Sequence, residues 1–243
     1  MPIEVRRGRP VSKAPIVLAV DTSDLGTALA WVEATHEHVR VFKLGLEFFL
    51  EHGLAGVKAI QAASDCELFL DLKLHDIPNT VGAAAKVVEG LAPQYLTVHS
   101  SGGFEMVKAA SHALPEVSIT AVTVLTSLSD ADLALLGFRS SALETAASLA
   151  QVAVSAGARA IVCSPLEIQA IREVVGPGPV IITPGVRPEG TAGQDDQLRT
   201  MSPLDAITAG ADLVVIGRPI TSEWKRGAVA MAEKAQEIGS VLI

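Results

Sequence analysis

Short apolar runs alternate with longer amphipathic segments along the chain. The runs lack the polar alternation of a strand with one face in water, so they predict parallel β-strands that are covered on both sides. The predicted strands are Ile16–Val20, Val39–Leu44, Leu68–Leu72, Tyr95–Val98, Ile119–Val124, Ala160–Val162, Val180–Ile182 and Leu213–Ile216. The segments between the runs repeat apolar residues at helical spacing. The predicted helices are Asp24–Val39, Glu47–Ala63, Thr80–Leu91, Phe104–Leu114, Ala142–Ala156, Leu166–Val175, Pro203–Ala209 and Ser222–Ile238.

This repeated order of strand and helix predicts the α/β class and, as its simplest arrangement, a closed (β/α)₈ TIM barrel. A doubly wound open sheet is the alternative. The length of 243 residues suits one barrel, because this fold typically needs about 250. No repeat, low-complexity tract or Pro/Ser-rich linker divides the chain. We therefore predict a loosely ordered N-terminal extension at 1–14 and a single catalytic domain at 15–243.

Composition narrows the class of partner. The formal net charge is −8 and the pI is about 5.2, so the chain has no overall basic field to attract nucleic acid. No apolar run approaches the ~18 residues of a membrane span, and the basic start lacks the apolar stretch of a signal peptide. Cys66 and Cys163 lie in or beside apolar runs, which is typical of reduced, buried thiols. We expect a cytoplasmic protein without nucleic-acid or membrane partners.

Charged residues stand at the ends of the first three predicted strands, where a TIM barrel places its active site. The first strand ends at Asp21 and the second carries Lys43. The third carries Asp71 and Lys73, and the two-residue period of a strand predicts that their side chains share one face. A buried structural ion pair is the plainer explanation, but charges removed from water are costly unless fully compensated. The additional charges at neighbouring strand ends favour a functional cluster.

A second candidate cluster follows the seventh and eighth strands. The loops after these strands commonly form a phosphate-binding site in this fold. Arg187 and Arg218 can bind phosphate oxygens, and Gly217 allows the backbone to approach a ligand closely. The polar, glycine-bearing segment Pro188–Asp196 lies between them. It is interpreted as a mobile lid or as an ordinary solvated loop.

A metal site would have to use His75 and His99 together with Asp71 and Asp76. The ammonium of Lys73 argues against it, because it would compete with a divalent cation for the same carboxylates. No HxH or HExxH spacing is present. We expect no catalytic metal.

The residues quoted so far resemble a known family. The segment 71–80 reads Asp-Leu-Lys-Leu-His-Asp-Ile-Pro-Asn-Thr and resembles the signature of the orotidine 5′-phosphate decarboxylases. Six other segments match in order: Leu18–Asp21, Lys43–Gly45, Val98–His99, Leu125–Ser127, Thr183–Arg187 and Ile216–Arg218, with Asp195–Gln197 following the candidate lid. The shorter pattern DxKxxD is less specific, because related sugar-phosphate decarboxylases and hexulose-phosphate synthases share it.

The resemblance implies decarboxylation of orotidine 5′-monophosphate to UMP and CO2 in de novo pyrimidine biosynthesis, without a cofactor. Lys73 would be the catalytic proton donor, and Asp71 would lie against the substrate carboxylate. Asp21 and Lys43 would hold the ribose hydroxyls and complete the charge network. Asp76, Ile77 and Thr80 would enter the active site of the neighbouring subunit. There Asp76 would complete the catalytic set, and Ile77 and Thr80 would contact the substrate. A homodimer is therefore expected.

The same resemblance assigns the rest of the binding site. Thr126 or Ser127 would contact the pyrimidine. Gln197 would reach the phosphate from the lid, and Arg218 would bind it together with the Gly217 amide. Pro184 and Arg187 complete the substrate-binding set. The alternatives are a Mg²⁺-dependent sugar-phosphate decarboxylase or hexulose-phosphate synthase on the same barrel, and a non-catalytic phosphate-ligand binding barrel.

Overall fold

The structure, a computed structural model, describes residues 13–187 and 201–243. Its β-strands are β1 Ala14–Ala19, β2 Val39–Gly45, β3 Glu67–Leu74, β4 Tyr95–His99, β5 Ser118–Val122, β6 Ala160–Val162, β7 Val180–Thr183 and β8 Leu213–Ile216. Each strand pairs in parallel with the next, and β8 pairs with β1. The sheet is therefore closed. The predicted (β/α)₈ barrel is confirmed, and the open-sheet alternative is wrong.

The α-helices of the described residues lie between the strands and after the last one. They are α1 Leu25–Thr35, α2 Leu46–Ala63, α3 Pro78–Val87, α4 Phe104–Ala113, α5 Asp130–Leu135, α6 Ala142–Ser155, α7 Ile168–Val175, α8 Pro203–Thr208, α9 Arg218–Thr221 and α10 Ala228–Ser240. Sequence periodicity did not identify the short helices α5 and α9. The predicted helix at Ser222–Ile238 is interrupted, because Gly227 has a φ of 107° between a 3₁₀ turn and α10.

The core has two layers, as the strand pattern predicts for a sheet covered on both sides. The inner layer fills the barrel with small and medium apolar side chains plus two aromatic rings: Val17, Ala19, Val41, Phe69, Tyr95, Ala160, Ile182, Leu213 and Val215. The outer layer packs the other strand face against the helices. The inner layer consists of alternate residues along each strand. The next inward-facing residue of a strand therefore lies closer to its carboxyl end, at the mouth of the barrel.

One strand departs from regular pairing. Leu70 of β3 pairs with Leu96 of β4, and Leu74 pairs with Val98, so three residues of β3 lie opposite the single residue Thr97. Lys73 within this bulge has a φ of 48°, a left-handed conformation that is uncommon for a residue other than glycine. Bulges of this kind re-aim side chains, and this one lies at the charged end of β3.

β1 begins at Ala14, the last residue assigned to the predicted extension, whose residues 1–12 lie outside the described ranges. Among the described helices, none is long and apolar enough to cross a membrane.

Candidate active site

Four charged side chains form a row across the ends of β1, β2 and β3. Lys43 Nζ lies 3.2 Å from Asp21 Oδ1 and 3.4 Å from Asp71 Oδ2. Lys73 Nζ donates a hydrogen bond of 2.8 Å to Asp71 Oδ1. The order Asp21, Lys43, Asp71, Lys73 alternates in charge, and each inner member has an opposite charge on both sides. We call these four residues the charged row.

The alternation of side chains along the strands explains why the charged row points into the barrel mouth. Val17 and Ala19 precede Asp21 at alternate positions, and Phe69 precedes Asp71 in the same way. Apolar residues therefore form the floor, and the next interior position carries the charge. The sequence predicted that the side chains of Asp71 and Lys73 share one face of the strand, and the two side chains are in contact. The two-residue period of a regular strand does not fully explain this contact, because the chain from Asp71 to Lys73 contains a bulge and a left-handed residue.

Burial and neighbouring charges shift the pKa values of Asp71 and Lys43 in opposite directions. Burial alone would raise the pKa of Asp71, but the ammonium groups of Lys43 and Lys73 and hydrogen bonds from Lys73 and Thr97 lower it below its ordinary value. Burial alone would lower the pKa of Lys43, but the carboxylates of Asp71 and Asp21 raise it. Both shifts favour the charged forms. The centre of the row therefore stays ionised although its side chains are only 12% exposed.

A cavity of about 290 Å³ is lined both by the charged row and by the wall of the barrel mouth that follows β7 and β8. That wall contains Arg187, after β7, and Arg218, after β8. A Cβ added at Gly217 would lie 3.3 Å from Ala19 Cβ and 3.9 Å from Asp21 Oδ2, so a side chain there would crowd the mouth. The two predicted clusters thus face one space.

The predicted site residues fall into three groups. Those that line the cavity are Asp21, Lys43, Asp71, Lys73, Thr126, Pro184, Arg187, Gly217 and Arg218. Those that the structure describes away from its lining are Asp76, Ile77, Thr80 and Ser127, all exposed. Gln197 lies outside the described residues, as does the candidate lid at Pro188–Asp196. The roles proposed for Gln197 and the lid therefore stay predictions.

The exposed residues of the signature cluster at one place. Asp76 Oδ1 accepts a 2.6 Å hydrogen bond from the Ile77 N–H, and Ile77 leaves 65% of its surface exposed. Pro78 opens α3, and Thr80 stands in its first turn. An apolar side chain and a carboxylate thus project from this part of the chain instead of facing its own cavity.

Sequence reasoning missed the apolar lining of the cavity and the residue beneath the charged row. The missed lining residues are Ala19, Phe69, Val122, Val124, Leu125, Val162, Cys163, Gly185 and Val215. A signal existed for several, because Phe69 and Val215 lie two residues before a predicted site residue on their strands. Thr97 is fully buried and contacts both Asp71 and Lys73. Its contact depends on the bulge, which has no signature in the sequence.

The two histidines considered as metal ligands lie beside the charged row. The ring centroids of His75 and His99 are 5.3 Å apart with planes inclined by 42°. Burial, followed by the charges of His75 and Lys73, lowers the pKa of His99. Within residues 13–187 and 201–243, no group of three or more His, Cys, Asp or Glu residues is arranged to hold a metal ion.

Comparisons with known proteins agree over nearly the whole chain. The model of the "Orotidine 5'-phosphate decarboxylase / HUMPS family" matches residues 14–232. A protein named orotidine 5′-phosphate decarboxylase from Thermobifida fusca (strain YX) is 53% identical over 223 residues, covering 92% of this chain and 95% of the relative. A protein of the same name from Frankia casuarinae is 43% identical over 240 residues, covering 92% of this chain and 87% of the relative.

A solved structure gives the same result. The crystal structure of orotidine 5′-phosphate decarboxylase from Lactobacillus acidophilus matches with a TM-score of 0.80 and 31% identity, covering 95% of this chain and 99% of that one. The family match includes every strand of the barrel, the charged row and the facing arginines. The chain belongs to the orotidine 5′-phosphate decarboxylase / HUMPS family.

Proposed function

We propose that this protein is a carboxy-lyase that converts orotidine 5′-monophosphate to UMP and CO2 in pyrimidine biosynthesis. The observation that carries the proposal is the charged row, which lines one cavity together with Arg187 and Arg218. The cavity thus offers cationic groups for a phosphate at one wall and an ammonium held by carboxylates at the other. The named relatives support the assignment of this branch of the family.

The reaction leaves an electron pair at C6 of the pyrimidine when its bond to the carboxyl carbon breaks. This pair lies in the plane of the ring, where the π system cannot delocalise it. Lys73 Nζ stabilises the developing negative charge and then transfers a proton to C6, and it regains a proton from water after CO2 has left. Asp71 orients Lys73 through the 2.8 Å hydrogen bond and lies against the substrate carboxylate.

The size of the barrier requires several contributions. Enzymes commonly lower activation barriers by about 8–23 kcal/mol, whereas removal of a single electrostatic donor costs about 3–4 kcal/mol. The phosphate contacts of Arg187 and Arg218 supply binding energy away from the reacting carbon, which can hold the ring against the charged row. The remaining binding roles are assigned to Asp21 and Lys43 at the ribose and Thr126 at the pyrimidine, with Pro184 and Gly217 beside the ligand. Ser127 and Gln197 stay predicted contacts.

The smallest complete unit is proposed to be a homodimer. Asp76, Ile77 and Thr80 are exposed and lie away from the cavity of their own chain. Insertion of this segment into a neighbouring copy would cover the apolar surface of Ile77. It would also bring Asp76 to the partner's Lys73 as a second carboxylate. An isologous arrangement gives each chain the same gain.

The alternative within the family is a sugar-phosphate decarboxylase or hexulose-phosphate synthase, which would depend on Mg²⁺. A non-catalytic barrel that only binds a phosphorylated ligand is a second alternative. The named relatives favour the orotidine enzyme over the first alternative. The ionised row favours catalysis over the second, because it presents a proton donor already oriented by a carboxylate.

The deciding experiment follows the loss of orotidine 5′-monophosphate absorbance in the presence of EDTA. We expect turnover by the unchanged chain and loss of turnover in Lys73→Ala, since that variant lacks the proton donor. Binding of UMP, measured by calorimetry, should persist in the variant because Arg187 and Arg218, the proposed phosphate contacts, are unchanged. Activity that EDTA abolishes would favour the Mg²⁺-dependent alternative, and UMP binding without turnover in the unchanged chain would favour the binding barrel.

A further inference from the structure

Thr97 lies directly beneath the charged row without lining the cavity. It occupies the middle of β4 between Leu96 and Val98 and has no exposed surface. Interior residues alternate along this strand, with Tyr95 in the barrel core two positions earlier. The side chain of Thr97 therefore points into the barrel below Asp71.

The hydroxyl of Thr97 contacts the two central residues of the proposed mechanism. It accepts a 2.8 Å hydrogen bond from the backbone N–H of Lys73. It lies 3.1 Å from Asp71 Oδ1 and 3.5 Å from the Leu70 carbonyl oxygen. A threonine hydroxyl has one proton, and the nearer, ionised oxygen of Asp71 is the stronger acceptor. Thr97 therefore donates to Asp71 while it accepts from Lys73.

The bulge in β3 makes this contact consequential. Three residues of β3 lie opposite Thr97, so the backbone there lacks regular ladder partners. Lys73 also holds a φ of 48°, a left-handed conformation that is unfavourable for an L-residue. The Thr97 hydroxyl satisfies the Lys73 N–H in this conformation, and the conformation sets where the Lys73 side chain starts.

We propose that Thr97 is a positioning residue for the decarboxylation: its hydroxyl fixes the Asp71 carboxylate and the left-handed backbone of Lys73 relative to each other. The inference rests on the proposed function, because it assigns Thr97 a part in delivering the Lys73 proton. Thr97 does not touch the substrate. It acts through both members of the 2.8 Å pair between Lys73 and Asp71.

A matched control exists on the neighbouring strand. Thr120 of β5 pairs in register with Thr97, is equally buried, and donates a 2.9 Å hydrogen bond to the Ser118 carbonyl oxygen. It has the same residue type, depth and strand environment, but its hydrogen bond to Ser118 does not involve the charged row. Replacement of either threonine by valine keeps the branched shape and removes one hydroxyl.

The test compares Thr97→Val, Thr97→Ser and Thr120→Val in steady-state decarboxylation of orotidine 5′-monophosphate. We expect kcat of Thr97→Val to fall by about 10- to 100-fold, because small misplacements of reacting groups have effects of this size. KM should change little, since Arg187, Arg218 and the other residues that line the cavity are unchanged. Thr97→Ser should restore most of kcat because serine supplies the same hydroxyl, and Thr120→Val should keep the kcat of the unchanged chain.

The outcomes separate this inference from the proposed function. If the unchanged chain does not decarboxylate the nucleotide, the proposed function fails, and the positioning role of Thr97 in that reaction fails with it. If it does, an unaltered kcat in folded Thr97→Val overturns the positioning role. Equal losses of kcat in Thr97→Val and Thr120→Val also overturn it, because they indicate a general packing effect. Should the valine chain not fold, Thr97→Ala is measured against Thr97→Ser by the same criteria.

Discussion

Asp71 is the residue around which the charged row is built. One of its oxygens accepts from Lys73 and Thr97, and the other faces Lys43. Only 12% of its side chain is exposed, so the attraction of two ammonium groups is screened less than at an open surface. A carboxylate in this position stays ionised and prevents Lys43 and Lys73 from repelling each other. Removal of its charge would leave two cations on the same side of the cavity.

The lowered pKa of Asp71 makes a prediction about stability. A carboxyl group whose folded pKa lies below its unfolded value, about 3.9, stabilises the fold above that value, and this contribution is lost as the pH falls through the folded pKa. Asp71→Asn should therefore be less stable than the unchanged chain at pH 7. The difference should shrink as the pH is lowered below about 4.

Urea denaturation followed by circular dichroism at pH 7, 5 and 3 measures this difference. Asp132→Asn offers a contrast, because Asp132 is only partly buried and its lowered pKa has a local hydrogen bond from Ser129 as its first cause. A stability difference for Asp71→Asn that is the same at pH 7 and pH 3 would contradict the assignment.

At the scale of elements, two irregularities shape the mouth of the barrel. The bulge in β3 brings Asp71 and Lys73 together, as described above. The second irregularity lies in α2, where Gly53 has φ 55° and ψ −152° and kinks the helix. Just before the kink, His52 Nε2 lies 2.8 Å from the Ser23 carbonyl oxygen. The kink thus connects α2 to the loop that follows the Asp21 end of β1.

The kink predicts a specific sensitivity to substitution. Gly53→Ala should destabilise the fold by about 1–3 kcal/mol, because an L-residue at these angles is strained. The cause would be the backbone alone, since a Cβ at Gly53 would have no atom within 4 Å. Gly90→Ala is the control, because its Cβ would also meet nothing and its φ is not positive. Urea denaturation should show a loss for Gly53→Ala and a change within about 0.5 kcal/mol for Gly90→Ala. Equal effects of the two substitutions would argue against backbone strain at the kink.

At the scale of the whole molecule, barrel closure makes one site from distant parts of the chain. β8 pairs with β1 through Ile16 and Val214, so the segments after β7 and β8 come to the same mouth as Asp21. The proposed dimer extends this principle, since Asp76 would complete the site of another copy. Closure of the barrel thus defines a cavity, and self-association would supply its missing carboxylate.

The dimer proposal predicts complementation between two inactive variants. Lys73→Ala and Asp76→Ala should each have little activity as homodimers. A mixed dimer of the two has one site that combines an intact Lys73 with the partner's intact Asp76. The purified mixed dimer should therefore have about half of the normal activity, because one of its two sites is intact.

The measurement uses co-expressed chains with two different affinity tags, so that the mixed dimer is purified before the assay. Each variant with both tags, assayed as a homodimer, is the control. A mixed dimer that is as inactive as its parents would mean that Lys73 and Asp76 act within one chain, which would contradict the shared site.

Sequence periodicity was sufficient for the strands and most helices, because burial on two sides leaves apolar runs that need no tertiary context. It did not predict α5, a short segment with the sequence Asp-Ala-Asp-Leu-Ala-Leu. That helix begins with a capping box in which Ser129 and Asp132 satisfy each other's backbone N–H groups. Local capping thus stabilised a helix too short for a periodic signal.

The sequence by itself determined the barrel, the charged residues at its strand ends and the two arginines, since strand order and the two-residue period place them at one mouth. Only the tertiary structure decided how Asp71 and Lys73 meet and that Thr97 lies beneath them. The physical reason is that a bulge changes the pairing register between two strands. Register depends on contacts between segments that are distant in the chain, so no local pattern of residues records it.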